Sequence, residues 1–318
     1  MFELDESVEL READIDLLTA GELLIDMISA EFDEEVQSGT YQRFFGGSPS
    51  NIAMNVKKLG IRSVVASAVG NDGLGNYLIR HLQHAGISTD CIQQVSQATS
   101  MVVLTKSKST PVPIFYRGAD YQLTYTRQLK HALMNSKILH FSSWPVSRLH
   151  SRGTIEQAIA QAKETGLLVC FDPNYHPMVW DEGGDGIRYI QGLISQADII
   201  KPSEDDAERL FGKQSPETHV ENFLKLGAKL VILTLGKDGA IVSNGRQTEH
   251  FPTMAKEIAD TTGAGDAFWS GLYTGMVKGY TLRKAVQVGL ATSAYKLKYI
   301  GAVVDLPDAE SICQAYEL

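Results

Sequence analysis

The chain has 318 residues, 43% of them hydrophobic and 21% charged, enough for a large core that needs neither disulfides nor a structural metal. Its formal net charge of -9 excludes the basic footprint of a nucleic-acid or anionic-membrane partner. Three widely spaced cysteines, Cys91, Cys170 and Cys313, form no CxxC pair and suit a reducing compartment. The start, MFELDESVEL, is acidic where an export signal would be basic, and no run of about 18 apolar residues occurs, so a soluble, cytoplasmic protein is expected.

Short apolar runs alternate with amphipathic stretches, the rhythm of βαβ units on a mostly parallel sheet flanked by helices. In chain order, the pattern predicts strands at 15–20, 63–69, 138–142, 167–172, 199–201 and 230–235. It predicts helices at 51–59, 75–85, 152–165, 186–196, 205–211, 216–226, 264–278 and 282–297. Segments 34–45 and 99–117 break the rhythm; in the second, β-rich flanks at 101–106 and 114–116 surround Pro111 and Pro113. Both read as hairpin-like strands that project from the sheet as a small lid. The expected division is an α/β core of residues 1–32, 46–98 and 118–318 with a β lid of 33–45 and 99–117.

Several motifs fall where such a sheet holds ligands, at the carboxyl ends of its strands. GELLID places Asp26 just after the first strand, where a carboxylate can bind two vicinal hydroxyls of a sugar. In FGGSPSNIAMNVKKLG, Gly46 and Gly47 allow close backbone approach, Ser48 can cap, Pro49 suits a first helical turn, and Asn51 offers a donor and an acceptor to a hydroxyl. By itself KPSEDDAERL is a capped, acid-rich helix start, and LTLGKDGAIV a hairpin turn.

DTTGAGDAF, at 260–268, is the most informative stretch. Gly263 and Gly265 let consecutive N–H groups, those of Gly263, Ala264, Gly265 and Asp266, line one concavity at the positive end of a helix dipole. Asp266, beside that phosphate-binding nest, is placed to take a proton from a hydroxyl that attacks phosphorus.

Together these motifs resemble the ribokinase (PfkB) family of carbohydrate kinases, most closely its fructokinase and 2-keto-3-deoxygluconate kinase branch. The resemblance implies a ribokinase-like fold and a kinase that transfers the γ-phosphoryl group of ATP, with Mg²⁺, to a primary hydroxyl. Fructose is the leading acceptor and a keto-sugar acid the next; a monovalent cation is a further expectation. It assigns Asp26, Gly46, Gly47, Asn51, Asn174 of FDPNYHPMVW and Arg117 of Phe115-Tyr116-Arg117 to the sugar. It assigns Lys201, Thr234, Gly236, Lys237, Gly239, Thr262 and Ala291 to the nucleotide, and Glu204 and Asp206 to water around Mg²⁺.

Three positions depart from the family pattern: His176 stands for an Arg, Ser203 for an Asn and Asp206 for a Glu. Either another cation substitutes at the phosphate, or turnover is weaker. A sensor of sugar or nucleotide that lost efficient chemistry is therefore the alternative of a different class. Exposed lid strands also raise the expectation of a homodimer formed through the lid.

Overall fold

The computed structural model describes residues 2–33, 36–106, 113–181 and 185–318. Residues 34–35 and 107–112, within the two hairpin-like segments, lie outside the described residues, as do 182–184. The chain runs through β1 (Ile15–Ala20), β2 (Leu24–Phe32), β3 (Tyr41–Gly46), α1 (Ser48–Lys58), β4 (Ser63–Gly70), α2 (Gly73–His84) and β5 (Ile92–Val95). Next come β6 (Met101–Lys106), β7 (Ile114–Tyr116), α3 (Arg127–Met134), β8 (Ser136–Ser142), α4 (Ser143–Val146), α5 (Leu149–Thr165) and β9 (Leu168–Asp172). Then follow α6 (Gly186–Ile194), β10 (Ile199–Ile200), α7 (Glu204–Phe211), α8 (Pro216–Lys225), β11 (Leu230–Thr234), β12 (Ala240–Ser243) and β13 (Thr248–Phe251). The last elements are α9 (Ala264–Val277), α10 (Leu282–Lys296) and α11 (Ala309–Ala315).

Nine strands form one sheet in the order β13-β12-β11-β10-β9-β8-β1-β4-β5, parallel from β11 to β5, with β12 and β13 antiparallel at one edge. Its central strands are apolar on both faces because helices cover both. Leu17 packs with Ile52, Trp269 and Tyr273 on one side, and Leu18 with Phe141, Ile155 and Ala158 on the other. The strand order turns at β1, which pairs with β4 and with β8, and a crevice opens beyond the carboxyl ends there.

The other four strands make a separate sheet, β3-β2-β6-β7. It begins at Leu24, so 24–32 belongs to the small sheet rather than to the core, and Asp26 lies on β2, paired with Phe44 of β3 and Val102 of β6. Only Gly21 and Glu22 separate the two apolar-rich stretches, which conceals this change of sheet. Gly21, with φ +153 and its Cα held close to the Pro49 ring, lets the chain turn out of one sheet toward the other.

Helix α9, which carries Asp266, is set by close packing on α10. A Cβ built on Gly275 would lie 2.7 Å from Ala285 Cα, and one on Gly271 2.5 Å from the Val288 carbonyl oxygen. Gly275→Val should therefore force these helices apart and lower unfolding stability by about 1–3 kcal/mol in urea titration. A change below about 0.5 kcal/mol, the range of an ordinary surface substitution, would contradict that packing.

Candidate active site

The glycine pair after β3 determines how α1 enters the site. A Cβ on Gly46 would fall 2.3 Å from Asp26 Oδ2, and Gly47 has φ +102 with its Cα against the Glu22 carbonyl, which a Cβ would meet at 2.3 Å. Only glycines let the chain pass here. The start of α1 is then tied to Glu22: the Ser48 N–H donates to Glu22 Oε1 at 3.2 Å and Ser50 Oγ to the Glu22 carbonyl at 3.0 Å. The first turn of α1 thus faces the first turn of α9. Ser48 Oγ donates to Asp266 Oδ1 at 2.6 Å, and Asn51 Nδ2 to Asp266 Oδ2 at 2.9 Å.

At α9 the chain turns through Gly263, φ +76, whose added Cβ would meet Ala302 Cα at 2.7 Å. The Ala264 N–H is occupied, donating to the Thr261 carbonyl at 3.1 Å, which removes Ala264 from the expected donor set. Among the described residues, the N–H groups of Gly263, Gly265 and Asp266 have no protein acceptor and stay open at the positive helix end. Lys201, just past β10, completes the anion site. It is buried, its Nζ lies 3.3 Å from Asp172 Oδ2, and a Cβ on Gly265 would sit 3.5 Å from that Nζ.

These groups line a cavity of about 310 Å³ that also includes Asn174, Thr234 and Thr261. Asn174 holds a strained φ of +34, a feature that clusters at ligand sites. A second cavity of about 390 Å³ shares Ser203, Thr234, Thr261, Ala264 and Gly265 with the first, so the two are continuous. It extends past Gly236, Lys237 and Gly239 to an apolar end at Ile258, Leu290 and Leu297. An elongated space with cation and N–H groups at one end and apolar walls at the other suits a nucleotide with its phosphates toward Asp266.

The electrostatics are dominated by acids. Burial pushes the Asp266 carboxyl up to about 6, against the Ser48 and Asn51 hydrogen bonds that favour its ionised form. Burial, reinforced by the Asp266 charge, pushes Asp26 up to about 7. Glu22 rises to about 8, from burial first and then the charges of Asp120 and Asp266. Near neutral pH, Asp266 is thus an ionised acceptor, while Glu22 keeps its proton and can donate.

Several assignments change with the geometry. All five guanidinium donors of Arg117 are occupied, by Asp120 Oδ2, Ser147 Oγ and the carbonyls of Trp144 and Val179, so it is not free to pair a substrate carboxylate. Thr262 is exposed and bonded to Asp260; Thr261 lines both cavities instead. Ala291 is buried in packing with Leu59 and Val304, while Leu290, Ser293, Ala294 and Leu297 on the neighbouring face of α10 line the cavity.

Asp206 caps α7: its Oδ2 accepts from Ser203 Oγ at 2.6 Å and Oδ1 from the Tyr175 N–H at 2.7 Å. Glu204 is exposed two residues away on the same helix, so the pair does not converge. His176 accepts from the Met178 N–H at 3.3 Å and packs edge-on to Phe115, apart from the phosphate end; Lys201 is the cation there. The sequence reading had missed Ser48 as a ligand of Asp266, and Glu22. The short spacing from Gly47 to Asn51 could have signalled Ser48, since both project from one helical turn.

No group of three or more His, Cys, Asp or Glu among the described residues forms a metal cage. Mg²⁺ keeps most of its waters and would be held chiefly by substrate phosphates, so it needs no such cage. Asp172 lines the phosphate end, and among the described residues no protein donor reaches its Oδ1, which leaves that oxygen to accept from a metal-bound water.

A family model described as pfkB family carbohydrate kinase matches residues 14–309. The ATP-dependent 6-phosphofructokinase of Thermoanaerobacterium thermosaccharolyticum is 56% identical over 318 residues, covering 100% of this chain and 99% of that protein. Among solved structures, the fructokinase of Halothermothrix orenii matches with TM-score 0.79 and 42% identity over 87% of this chain and 98% of its own. A fructokinase double mutant of Vibrio cholerae, bound to fructose, ADP and potassium, matches with TM-score 0.82 and 28% identity over 96% and 99%. The chain belongs to the pfkB family of carbohydrate kinases. It is a phosphotransferase acting on a sugar hydroxyl.

The carboxyl cluster makes stability pH-dependent. Glu22 has a folded-state value of about 8 against an ordinary 4.5, so the fold binds its proton more tightly than the unfolded chain does. Its contribution is complete below 4.5, declines as pH rises and levels off above about 8. Glu22→Gln should thus gain stability relative to wild type across that window, measured by urea titration at several pH values. A difference independent of pH would contradict the burial of an ionisable group here.

Proposed function

We propose that the protein transfers the γ-phosphoryl group of ATP to a primary hydroxyl of a fructose unit. The observation that carries this reading is the fixed Asp266 carboxylate beside open N–H groups and a buried ammonium. Asp266 accepts the hydroxyl proton as the sugar oxygen bonds to phosphorus, the bond from phosphorus to the bridging oxygen breaks, and ADP leaves. The N–H groups of Gly265 and Asp266, with Lys201, hold the charge on the transferring group. Thr234, Gly236, Lys237 and Gly239 line the nucleotide side, and Asp172 would help hold the waters of a phosphate-bound Mg²⁺, which would supply charge neutralisation.

The sugar lies between the crevice and the small sheet, against Asp26 and Asn51, and the sheet acts as a lid over it. Fructose 6-phosphate is the acceptor best supported, by full-length identity of 56% to a 6-phosphofructokinase. Free fructose is favoured by a different observation: the sugar end is acidic, with Glu22, Asp26 and Asp120, and Arg117 is bound to Asp120. The occupied Arg117 counts against a keto-sugar acid. Exposed Phe32, Ile114 and Tyr116 on the small sheet support a homodimer through that sheet.

ADP release measured with fructose 6-phosphate, fructose and 2-keto-3-deoxygluconate should be fastest with one of the two fructose compounds; faster turnover of the acid would contradict the assignment. With the preferred sugar, Asp266→Asn should fold normally yet lose about 10²- to 10⁴-fold in kcat. Wild-type kcat/KM should fall as pH drops through about 6, because the protonated carboxyl cannot accept. Near-normal turnover of the variant would refute the base.

A further inference from the structure

Trp269 is fully buried in the first turns of α9, yet its single polar atom is aimed at the reaction end of the molecule. Its Nε1–H donates to Asp172 Oδ2 at 2.8 Å, the same oxygen that lies 3.3 Å from Lys201 Nζ. The indole is itself held: it stacks on Tyr273 with centroids 5.1 Å apart and an interplanar angle of 18°, and His140 packs edge-on at 5.1 Å. His140 Nδ1 and the Tyr273 hydroxyl are 2.7 Å apart, so the supporting rings are fixed in turn. A hydrophobic residue would fill this space as well, and the N–H is what singles out tryptophan.

Lys201 has more than one carboxylate competing for it. Its charge acts on both Asp206 and Asp266 as well as on Asp172. Among the described residues lining the phosphate-end cavity it is the one cationic side chain. An ammonium drawn toward Asp266 would both neutralise the base and leave the glycine turn. Lys201 Nζ itself lies 5.7 Å from the Trp269 ring centroid, so the indole also attracts the ammonium through its face.

We propose that Trp269 is a positioning residue for phosphoryl transfer: its indole N–H holds the Asp172 carboxylate so that Lys201 stays beside Gly265, aimed at the group being transferred. This rests on the kinase reading above. Trp269→Phe keeps a ring to stack on Tyr273 but removes both the donor and part of the buried volume, whereas benzothienylalanine at 269 keeps the full bicyclic shape and lacks only the N–H.

The test measures kcat, the KM for ATP and thermal unfolding for wild type, both 269 variants, Lys201→Met and the Trp269→Phe/Lys201→Met double variant. Loss of one hydrogen bond to a charged group should cut kcat about 10- to 100-fold with KM for ATP within about 2-fold, in either 269 variant. The double variant should be no slower than Lys201→Met alone, because the indole acts only through the lysine. Unchanged kcat in the benzothienylalanine protein, or losses that multiply in the double variant, would overturn the proposal. A wild type that releases no ADP with any sugar would instead count against the kinase reading itself.

Discussion

The Asp266 carboxylate, carried on the first turn of α9, is gripped by Ser48 and Asn51 at the start of α1. Much of the molecule serves that junction. The glycines of α9 bring it flush against α10, and Gly46 and Gly47 let α1 begin in the lee of Glu22 and Asp26. Without this grip, a half-buried carboxylate would take up a proton or turn to water. With it, the group stays ionised at neutral pH and keeps lone pairs available for a hydroxyl.

The surrounding charge arrangement follows from the same constraint. A chain with net charge -9 has no general attraction for phosphates, so the anion site is made locally, from open N–H groups and one buried lysine. Three carboxyls on the sugar side would repel one another if all were ionised. Burial instead keeps Glu22 protonated and leaves Asp26 near its midpoint at neutral pH, which lets part of the cluster donate hydrogen bonds rather than only accept them. Acid and base functions are thereby separated by environment rather than by residue type.

The strands β1, β4, β8, β9, β10 and β11 and the longer helices were legible because their periodicity is strong and the turns between them carry glycine, whereas the short β5, β12, β13, α3, α4 and α11 hold too few residues to show a period. The phosphate end was legible for the same reason at Gly263, whose left-handed φ only glycine adopts easily, whereas a Cβ on Gly265 would make only ordinary contact with Lys201. Where a role depends on side-chain direction, the sequence was a poorer guide. Thr261 and Thr262 are alike as letters, and only the turn decides which one faces the cavity. Ala291 and its neighbours lie on one helix, and its rotation selects Leu290 and Ala294 as lining. Arg117 reads as a free cation until Asp120 appears three residues on as its partner. The Asp206 carboxylate looks like a metal ligand but is used by the chain to cap α7. β2 was hidden because only Gly21 and Glu22 separate two similar apolar-rich stretches, with no longer turn to mark the passage from one sheet to the other.

The most direct test of the account is a structure of the protein with Mg²⁺, a non-hydrolysable ATP analogue and fructose 6-phosphate. A primary hydroxyl oxygen should lie about 2.6–3.2 Å from an Asp266 carboxylate oxygen, in line with a γ-phosphate seated on the Gly265 and Asp266 N–H groups. A γ-phosphate bound elsewhere, or a sugar whose nearest carboxylate is not Asp266, would contradict it.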